Sequence, residues 1–324
     1  METILLIFIF TVCMVGLTKG ADWFLESAEK IGLAIGLSHF IIGVTIISFG
    51  TSFPELFTGI VAVLQEVPEM VAANAIGSNI ANIFLVVGLS SIVGGNLKVS
   101  KSLIDLDLPL LVAGTILLLA TIFPFSQGGQ AIVTASEGMI LVFGYLIYMV
   151  YTVLYKEEDG ELSPDQDEEN KKKRPELIPA DFILLFLGII LLTFSSNYLV
   201  ESVIALSELH KIAVGAISIV AVAIGTTLPE LFVSVKAVLD GDADMALGNV
   251  FGSNIFNGLM VIGIPAMIGD LPLDRGTYMI GVPFLIFATL IFTFSGISKK
   301  IHVYEGAFYL LMYGLFIIKI FGIF

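Results

Sequence analysis

The sequence predicts an all-α polytopic membrane protein of ten transmembrane helices, arranged as two inverted five-helix repeats in which helices 2 and 7 are broken. Three observations lead to this fold class. The composition is too apolar for a soluble domain, apolar runs of membrane-spanning length recur along the chain, and one polar motif inside those runs returns 175 residues later.

The composition places the chain in a membrane. Hydrophobic residues make up 57% of its 324 residues and charged residues only 14%, with a mean hydropathy of +0.99, whereas soluble domains are about 45–50% apolar and about 25% charged. The net charge of −14 makes nucleic acid an improbable partner. The apolar N-terminus lacks the basic region of a signal peptide, so we expect it to be a retained first span.

The apolar runs define the predicted spans. A helix needs about 17 to 25 residues to cross roughly 30 Å of hydrocarbon. Runs of that order cover residues 3–26, 38–65, 70–93, 106–124, 131–154, 180–200, 212–239, 244–269, 277–296 and 304–324. One long polar connection, 156–179, separates five spans from five. The predicted organisation is therefore a first repeat over 1–155, an acidic and basic loop over 156–179, and a second repeat over 180–324.

The two halves are related by an internal duplication. Residues 50–88 align without a gap with residues 225–263, and 18 of the 39 positions are identical. Because five is odd, the second half must enter the membrane from the opposite side, so the repeats are inverted. Most Lys and Arg residues fall on the cytoplasmic side if the central loop does, which places both termini outside. Lys19, in the middle of the first span, does not fit this pattern.

The repeated motif predicts a break in two spans. It reads GTSFPE from Gly50 and GTTLPE from Gly225. Proline in a helix removes a backbone hydrogen bond and clashes with the preceding turn, so Pro54 and Pro229 should interrupt spans 2 and 7 near mid-membrane. Interrupted helices at corresponding places in inverted halves indicate a transport site.

Glu55 and Glu230 follow these prolines directly. A charged carboxylate at the bilayer centre costs at least about 2.5 to 3.5 kcal/mol, and neither motif has a neighbouring Lys or Arg. Protonation or a bound cation could compensate. The surrounding side chains favour a cation, because they offer hard oxygen ligands: Thr51, Ser52, Thr226, Thr227, Ser78, Ser253, Asn82 and Asn257. The absence of a nearby Cys or His argues against zinc or copper.

Ordinary helix packing could explain either motif seen once. A single membrane proline is usually a kink, and a GSN segment usually serves small-residue packing. The recurrence of both motifs at equivalent positions of the two halves favours a functional site over ordinary packing. Ser78 and Asn82, like Ser253 and Asn257, are four residues apart and share one helix face, as a shared site requires.

At these residues the chain resembles the cation/calcium antiporter superfamily, and most closely its sodium/calcium exchangers, whose two inverted repeats carry GTSxPE-like and GSNxxN-like segments. The resemblance implies a plasma-membrane antiporter that drives Ca²⁺ out with the Na⁺ gradient. It places Ca²⁺ between Glu55 and Glu230, helped by Thr51 and Thr226. It places Na⁺ at overlapping sites that also use Ser52, Thr227, Ser78, Ser253, Asn82, Asn257 and the carbonyls near Ser48 and Ala223.

The chain departs from some relatives. Asn257 stands where some archaeal and potassium-dependent members carry Asp, so potassium coupling is not expected. The Gly-Asn-x-x-Glu pattern typical of cation/proton relatives is absent here. The central loop is also too short to fold as the calcium-sensing domains of larger animal members.

The sequence therefore predicts a Na⁺/Ca²⁺ antiporter that works by alternating access. A Ca²⁺/H⁺ exchanger of the same fold is the main alternative, and an oxygen-lined cation channel is a weaker one. An enzyme is not expected, because no nucleophile, phosphate loop or cofactor motif accompanies the two carboxylates. Ca²⁺ and Na⁺ are the expected substrates, with no cofactor and no required protein partner. The expected location is the plasma membrane, or the inner membrane of a bacterium, where lipid surrounds the multi-pass chain.

Overall fold

The computed structural model describes residues 2–35, 50–98, 103–123, 131–158, 177–241 and 243–322, and these are almost entirely helical. The elements of the first half are α1 (Glu2–Ile35), α2 (Phe53–Leu64), α3 (Glu69–Ala81), a π-helical segment (Asn82–Val87), α4 (Gly88–Val93), β1 (Leu97–Lys98), a π-helical segment (Leu103–Asp107), α5 (Leu108–Ile122), β2 (Ile132–Val133) and α6 (Ala135–Glu158).

The second half repeats this order. Its elements are α7 (Pro179–His210), α8 (Val214–Ile217), a π-helical segment (Ser218–Val222), α9 (Ala223–Thr226), α10 (Leu228–Leu239), α11 (Ala243–Phe256), a π-helical segment (Asn257–Val261), α12 (Ile262–Ile268), β3 (Leu271–Pro272), a π-helical segment (Thr277–Gly281), α13 (Val282–Ile297), β4 (Lys300–Ile301) and α14 (Val303–Ile320).

The prediction of an all-α polytopic membrane protein is confirmed. Within the described residues, eight helices are long and apolar enough to cross a membrane, or nine when the bent pair 214–239 counts as one span. The predicted span 38–65 is described only from residue 50 onward, where it contains α2. The tenth span, and the division into repeats at 156–179, stay predictions because residues 159–176 also lie outside the described part.

Both motif prolines lie in the first turn of a helix. The bend between residues 214–226 and 228–239 measures 41°, with Thr227 at the junction. In the first half the chain turns at Thr51 and Ser52 before α2 begins. Proline needs no hydrogen-bond acceptor at the start of a helix, and its fixed φ suits that position. Pro229 therefore begins a second half-helix rather than kinks a continuous one, and Pro54 lies at the equivalent position in the first turn of α2.

The equivalent long helices α1 and α7 run antiparallel. Thr3 Oγ1 lies 3.2 Å from His210 Nε2 at one end of the pair, and Lys30 Nζ lies 3.5 Å from Asp181 Oδ1 at the other. Small residues let the two backbones meet in between, since a Cβ at Gly188 would lie 2.8 Å from the carbonyl oxygen of another glycine, Gly20. The opposed directions are what an inverted repeat requires.

The centre of the molecule is formed by α3 and α11 with their π-helical continuations. In the most apolar 18 residues of each of these two spans, Glu69–Val93 and Ala243–Ile268, 78% of the residues are buried, whereas the corresponding share is 28% in Glu2–Phe24 and 22% in Val303–Ile320. The peripheral helices therefore present apolar faces to lipid, and the central pair is enclosed by protein. This arrangement lets the central pair carry polar side chains away from hydrocarbon.

Two short antiparallel ribbons join the halves. Strand β1 of the first half pairs with β4 of the second, and β2 of the first half pairs with β3 of the second. The predicted span 131–154 was therefore wrong at its start, because the β-branched residues Ile132 and Val133 extend to reach β3. The helices that contain the first and sixth predicted spans extend beyond them, since α1 continues to Ile35 and α7 to His210.

Candidate functional site

The two repeated glutamates occupy the first turns of two equivalent helices. Glu55 lies in the first turn of α2 and Glu230 in the first turn of α10, and both side chains are fully buried. The positive end of a helix dipole stabilises a carboxylate there, typically by about 0.3–1 kcal/mol. That is less than the cost of the charge at this depth, so further partners are needed.

The halves supply hydroxyl groups to each other's carboxylates. Ser52 Oγ of the first half donates to Glu230 Oε1 at 3.0 Å. In return Thr226 of the second half lies beside the carboxylate of Glu55. The two glutamates also act on each other electrostatically. The structure therefore brings both carboxylates to one place at the junction of the repeats.

A second pair of hydroxyls comes from the central helices. Ser78 Oγ on α3 donates to Glu55 Oε1 at 3.4 Å. Its equivalent on α11, Ser253, lies beside Glu230 and 3.3 Å from the hydroxyl of Thr51. Each carboxylate thus has one hydroxyl from its own half and at least one from the other, as a two-fold arrangement demands.

Several buried oxygens of this cluster make no hydrogen bond to any described residue. They are Glu55 Oε2, Glu230 Oε2, Thr227 Oγ1, Asn82 Oδ1 and Asn257 Oδ1. Buried polar groups are normally paired, so such a group calls for an unseen partner. No Lys or Arg occurs among the buried polar side chains that the structure describes. The oxygens without a hydrogen-bond partner are hard ligands, which suit Ca²⁺ and Na⁺.

The two amide residues of the site begin the π-helical segments that continue α3 and α11. Asn82 and Asn257 are fully buried at these starts, and π-helical turns occur frequently at functional sites. Asn82 Nδ2 donates to Asn254 Oδ1 at 3.2 Å. This bond directs the carbonyl end of the Asn82 amide away from Asn254 and leaves it available as a ligand.

Sequence reasoning missed three asparagines that support the site. Asn79 Nδ2 donates to the Asn254 carbonyl at 3.0 Å and so ties the two central helices together. Asn249 Nδ2 contacts the Glu230 carbonyl oxygen at 3.4 Å, and its Oδ1 lies 3.4 Å from the hydroxyl of Thr51. Their recurrence at the same offset of 175 in the repeated segments was the available signal.

Two predicted carbonyl ligands have different outcomes. Ser48 lies outside the described residues. The Ala223 carbonyl accepts a hydrogen bond from Thr227 N at 3.0 Å, and Thr226 Oγ1 lies 3.4 Å away. If Ala223 binds an ion, its carbonyl oxygen would coordinate that ion while it also accepts the hydrogen bond from Thr227 N at the end of α9.

Comparison with known proteins identifies the family. The chain matches the family described as "Sodium/calcium exchanger protein" over residues 5–154 and 180–322. It belongs to the sodium/calcium exchanger family. Both halves of this exchanger are matched, and the unmatched stretch between them, 155–179, contains the polar central loop.

Individual relatives agree with this assignment. The exchanger is 30% identical to the inner membrane protein YrbG of Escherichia coli, over 84% of its own chain and 82% of that protein. It is 29% identical to the sodium/calcium exchanger MaX1 of Methanosarcina acetivorans, over 96% and 97% of the two chains.

A solved structure is similar over nearly the whole chain. The sodium-calcium exchanger NCX_Mj, from crystals soaked with Na⁺ and Sr²⁺, superposes with a TM-score of 0.62 at 28% identity and covers 97% of both chains. The family is one of transporters, and the multi-pass membrane architecture inferred from composition is thereby shown for this exchanger as well.

Proposed function

We propose that this exchanger is an antiporter that moves Na⁺ against Ca²⁺ by alternating access, with Ca²⁺ held between Glu55 and Glu230. The observation that carries the proposal is the meeting of two fully buried carboxylates at the start of two inverted half-helices, without a buried basic residue among the described residues. Family membership supports the ion class.

The proposed ligands of the two ions overlap. Glu55 and Glu230, with Thr51 and Thr226, would hold Ca²⁺. Na⁺ would occupy sites that share the carboxylates and add further oxygens: Ser52, Thr227, Ser78, Ser253, Asn82, Asn257, and the carbonyls of Ser48 and Ala223. Two carboxylates carry a charge of −2, which one Ca²⁺ neutralises. Several Na⁺ do the same, so the two loads exclude each other and exchange follows from their competition.

The coupling follows from the cost of an unloaded site. Each bare carboxylate costs at least about 2.5–3.5 kcal/mol in hydrocarbon, and two close to one another add mutual repulsion. A site with no ion therefore resists passage through the occluded state. Either load removes the barrier, so a leak of one ion without the other is suppressed.

The proposed orientation follows from charge. With the central loop in the cytoplasm, α1 and α14 have their free ends outside. The sodium gradient of a living cell points inward, so exchange at the plasma membrane, or at a bacterial inner membrane, would export Ca²⁺.

Ion flux in proteoliposomes tests the proposal. Purified protein is reconstituted, ⁴⁵Ca²⁺ uptake is measured with Na⁺, K⁺ and pH gradients imposed one at a time, and an outward Na⁺ gradient should drive uptake. Glu55→Gln and Glu230→Gln keep the side-chain shape and remove the charge, and each should abolish the flux. The matched control is Glu208→Gln, an exposed carboxyl at the end of α7, which should leave flux unchanged.

The outcomes separate the candidate functions. Full flux in either site variant would remove the central premise. Uptake that follows a pH gradient and ignores Na⁺ would select the Ca²⁺/H⁺ exchanger, which remains a candidate because protons can also neutralise a pair of buried carboxylates. Flux without any counter-ion, at channel-like rates, would select the cation channel.

A further inference from the structure

The two halves repeat in sequence but differ in how the long helices α1 and α7 pack against them. Helix α7 packs along α2, whereas its equivalent α1 does not pack in the same way along α10, the equivalent of α2. At the far end of α2 the contact is polar. Gln65 Nε2 donates to the side-chain oxygen of Asn197 on α7 at 3.0 Å and lies 3.5 Å from the backbone carbonyl of the same residue.

Exposure shows the same asymmetry. Thr58 and Val61, on the face of α2 that leads to Gln65, are 0% and 6% exposed. At the equivalent positions of α10, 175 residues later, Val233 is only partly buried and the Lys236 side chain is 77% exposed. One half-helix is therefore covered by the α1 and α7 pair, and the matching face of the other is open.

The residues equivalent to the polar contact are charged. Gln65 corresponds to Asp240, and Asn197 corresponds to Asp22. In the structure each of these aspartates is paired with a lysine on its own helix, Lys19 with Asp22 at 3.1 Å and Lys236 with Asp240 at 3.0 Å. All four side chains are more than half exposed.

We infer that Gln65 and Asn197 form a latch that holds one entrance to the site closed, and that Lys19, Asp22, Lys236 and Asp240 form the opposite entrance, open in this structure. Movement of α1 and α7 as one unit would break the amide contact and bring Asp22 to Asp240. The close packing of Gly20 against Gly188 favours such a joint movement, because movement of one helix alone would lose the contacts between the two backbones.

This inference rests on the proposed alternating access and adds the residues that perform the gating. It also explains the position of Lys19, which composition and topology leave unexplained. Asp22 and Asp240 would repel each other on closing, and the two lysines make the assembled quartet neutral. With the predicted topology α2 runs outward, so the amide latch is extracellular and the ionic gate is cytoplasmic.

The two gates should respond differently to ionic strength. Salt screens exposed charges with a Debye length of about 8 Å at 0.15 M and about 3 Å at 1 M, whereas a bond between two neutral amides carries no net charge to screen. Raising the salt should therefore change the strength of the contacts at the ionic gate and leave the strength of the amide contact itself unchanged.

Paired cysteines test both gates. Cys13 is the one cysteine of the chain, so Cys13→Ala provides the background. Gln65→Cys with Asn197→Cys forms the latch pair, and Asp22→Cys with Asp240→Cys forms the gate pair. Each pair straddles the central loop. After oxidation, cleavage at a protease site inserted in that loop leaves the halves joined on a non-reducing gel only if the disulfide has formed.

The latch pair should cross-link in the ion condition that favours the present conformation, and the gate pair in the ion condition that favours the alternative conformation. Each disulfide should abolish ⁴⁵Ca²⁺ flux until dithiothreitol restores it. The four single-cysteine proteins are the controls and should neither join the halves nor lose flux on oxidation. A latch disulfide that leaves flux intact, or a gate pair that never cross-links in any ion condition, would overturn the inference.

Single cysteines give an independent reading that does not need transport. An impermeant maleimide should label Asp22→Cys readily and Gln65→Cys slowly under the condition that favours the latch disulfide, and the order should reverse under the other. Reciprocal labelling without Na⁺-driven flux would contradict the proposed ion pair and leave the gates standing. Normal Na⁺-driven flux with unchanging labelling would contradict the gates alone.

Discussion

Substituting Gly59 by serine should stabilise the protein, because one buried asparagine lacks the partner that its equivalent has. In the second half Asn249 Nδ2 donates to Ser234 Oγ at 3.1 Å. In the first half the equivalent residues are Asn74 and Gly59. Asn74 is 1% exposed, and neither of its side-chain polar atoms has a hydrogen-bond partner among the described residues.

The structure has room for the added side chain. A Cβ at Gly59 would lie 3.4 Å from a side-chain carbon of Pro265, 3.4 Å from one of Val71 and 3.6 Å from the Val261 carbonyl oxygen. These distances require shifts of a few tenths of an ångström at most. The new hydroxyl would stand where Ser234 stands in the other half.

The expected gain has two parts. Glycine inside a helix costs roughly 0.5–1 kcal/mol relative to alanine, and leaving a buried donor unpaired costs about 1–3 kcal/mol. Gly59→Ala recovers the first part alone, so it is the matched control. Gly59→Ser should exceed that control by about 1 kcal/mol or more, equivalent to a rise of about 2 °C in the unfolding midpoint for a protein of this size.

Thermal unfolding in detergent measures the effect, followed by the fraction that remains monodisperse after heating. The Gly59→Ser advantage over Gly59→Ala should disappear when Asn74→Ala is introduced into both, because the donor is then gone. Equal midpoints for Gly59→Ser and Gly59→Ala in the presence of Asn74 would refute the reasoning that the two halves differ by one missing hydrogen bond.

The remaining predictions concern packing and ion selectivity. Gly77→Ala should lower the unfolding midpoint, since its Cβ would lie 2.8 Å from that of Ala223 and even closer to the Ile219 carbonyl oxygen, an overpacking that costs typically about 1–3 kcal/mol. Gly314→Ala, where no atom of a described residue lies within 4 Å of the new Cβ, is the control, and equal midpoints would contradict the close approach. Potassium gradients should leave ⁴⁵Ca²⁺ flux unchanged, because Asn257 provides no third carboxylate; a flux that requires K⁺ would reject this assignment.

Much of the site could be predicted because duplication shows which polar residues recur together. Chance places one glutamate in an apolar run, but it does not place Glu55 and Glu230 behind matching prolines 175 residues apart. Burial of both carboxylates and their contacts across the halves agree with that prediction. The individual ion ligands stay predictions.

Other features could not be predicted from local pattern. Strand β2 lies in an apolar stretch that fits a helix equally well, and its pairing depends on β3, about 140 residues away. The extension of α1 beyond its apolar run depends on contacts with α7, since tertiary packing decides where amphipathic helices end. Comparison of the two repeats could not predict the proposed latch, because the residues equivalent to Gln65 and Asn197 are aspartates rather than amides.

The two ribbons bear on how such a molecule could have originated. In the part of the chain that the structure describes, each half carries one strand ahead of its fourth span and one ahead of its fifth, and each of these strands pairs with a strand of the other half. A half-length ancestor would thus have been complementary to an upside-down copy of itself. Two such copies inserted in opposite orientations would already have assembled the central cluster, and fusion through a polar tether would have fixed their ratio at one to one.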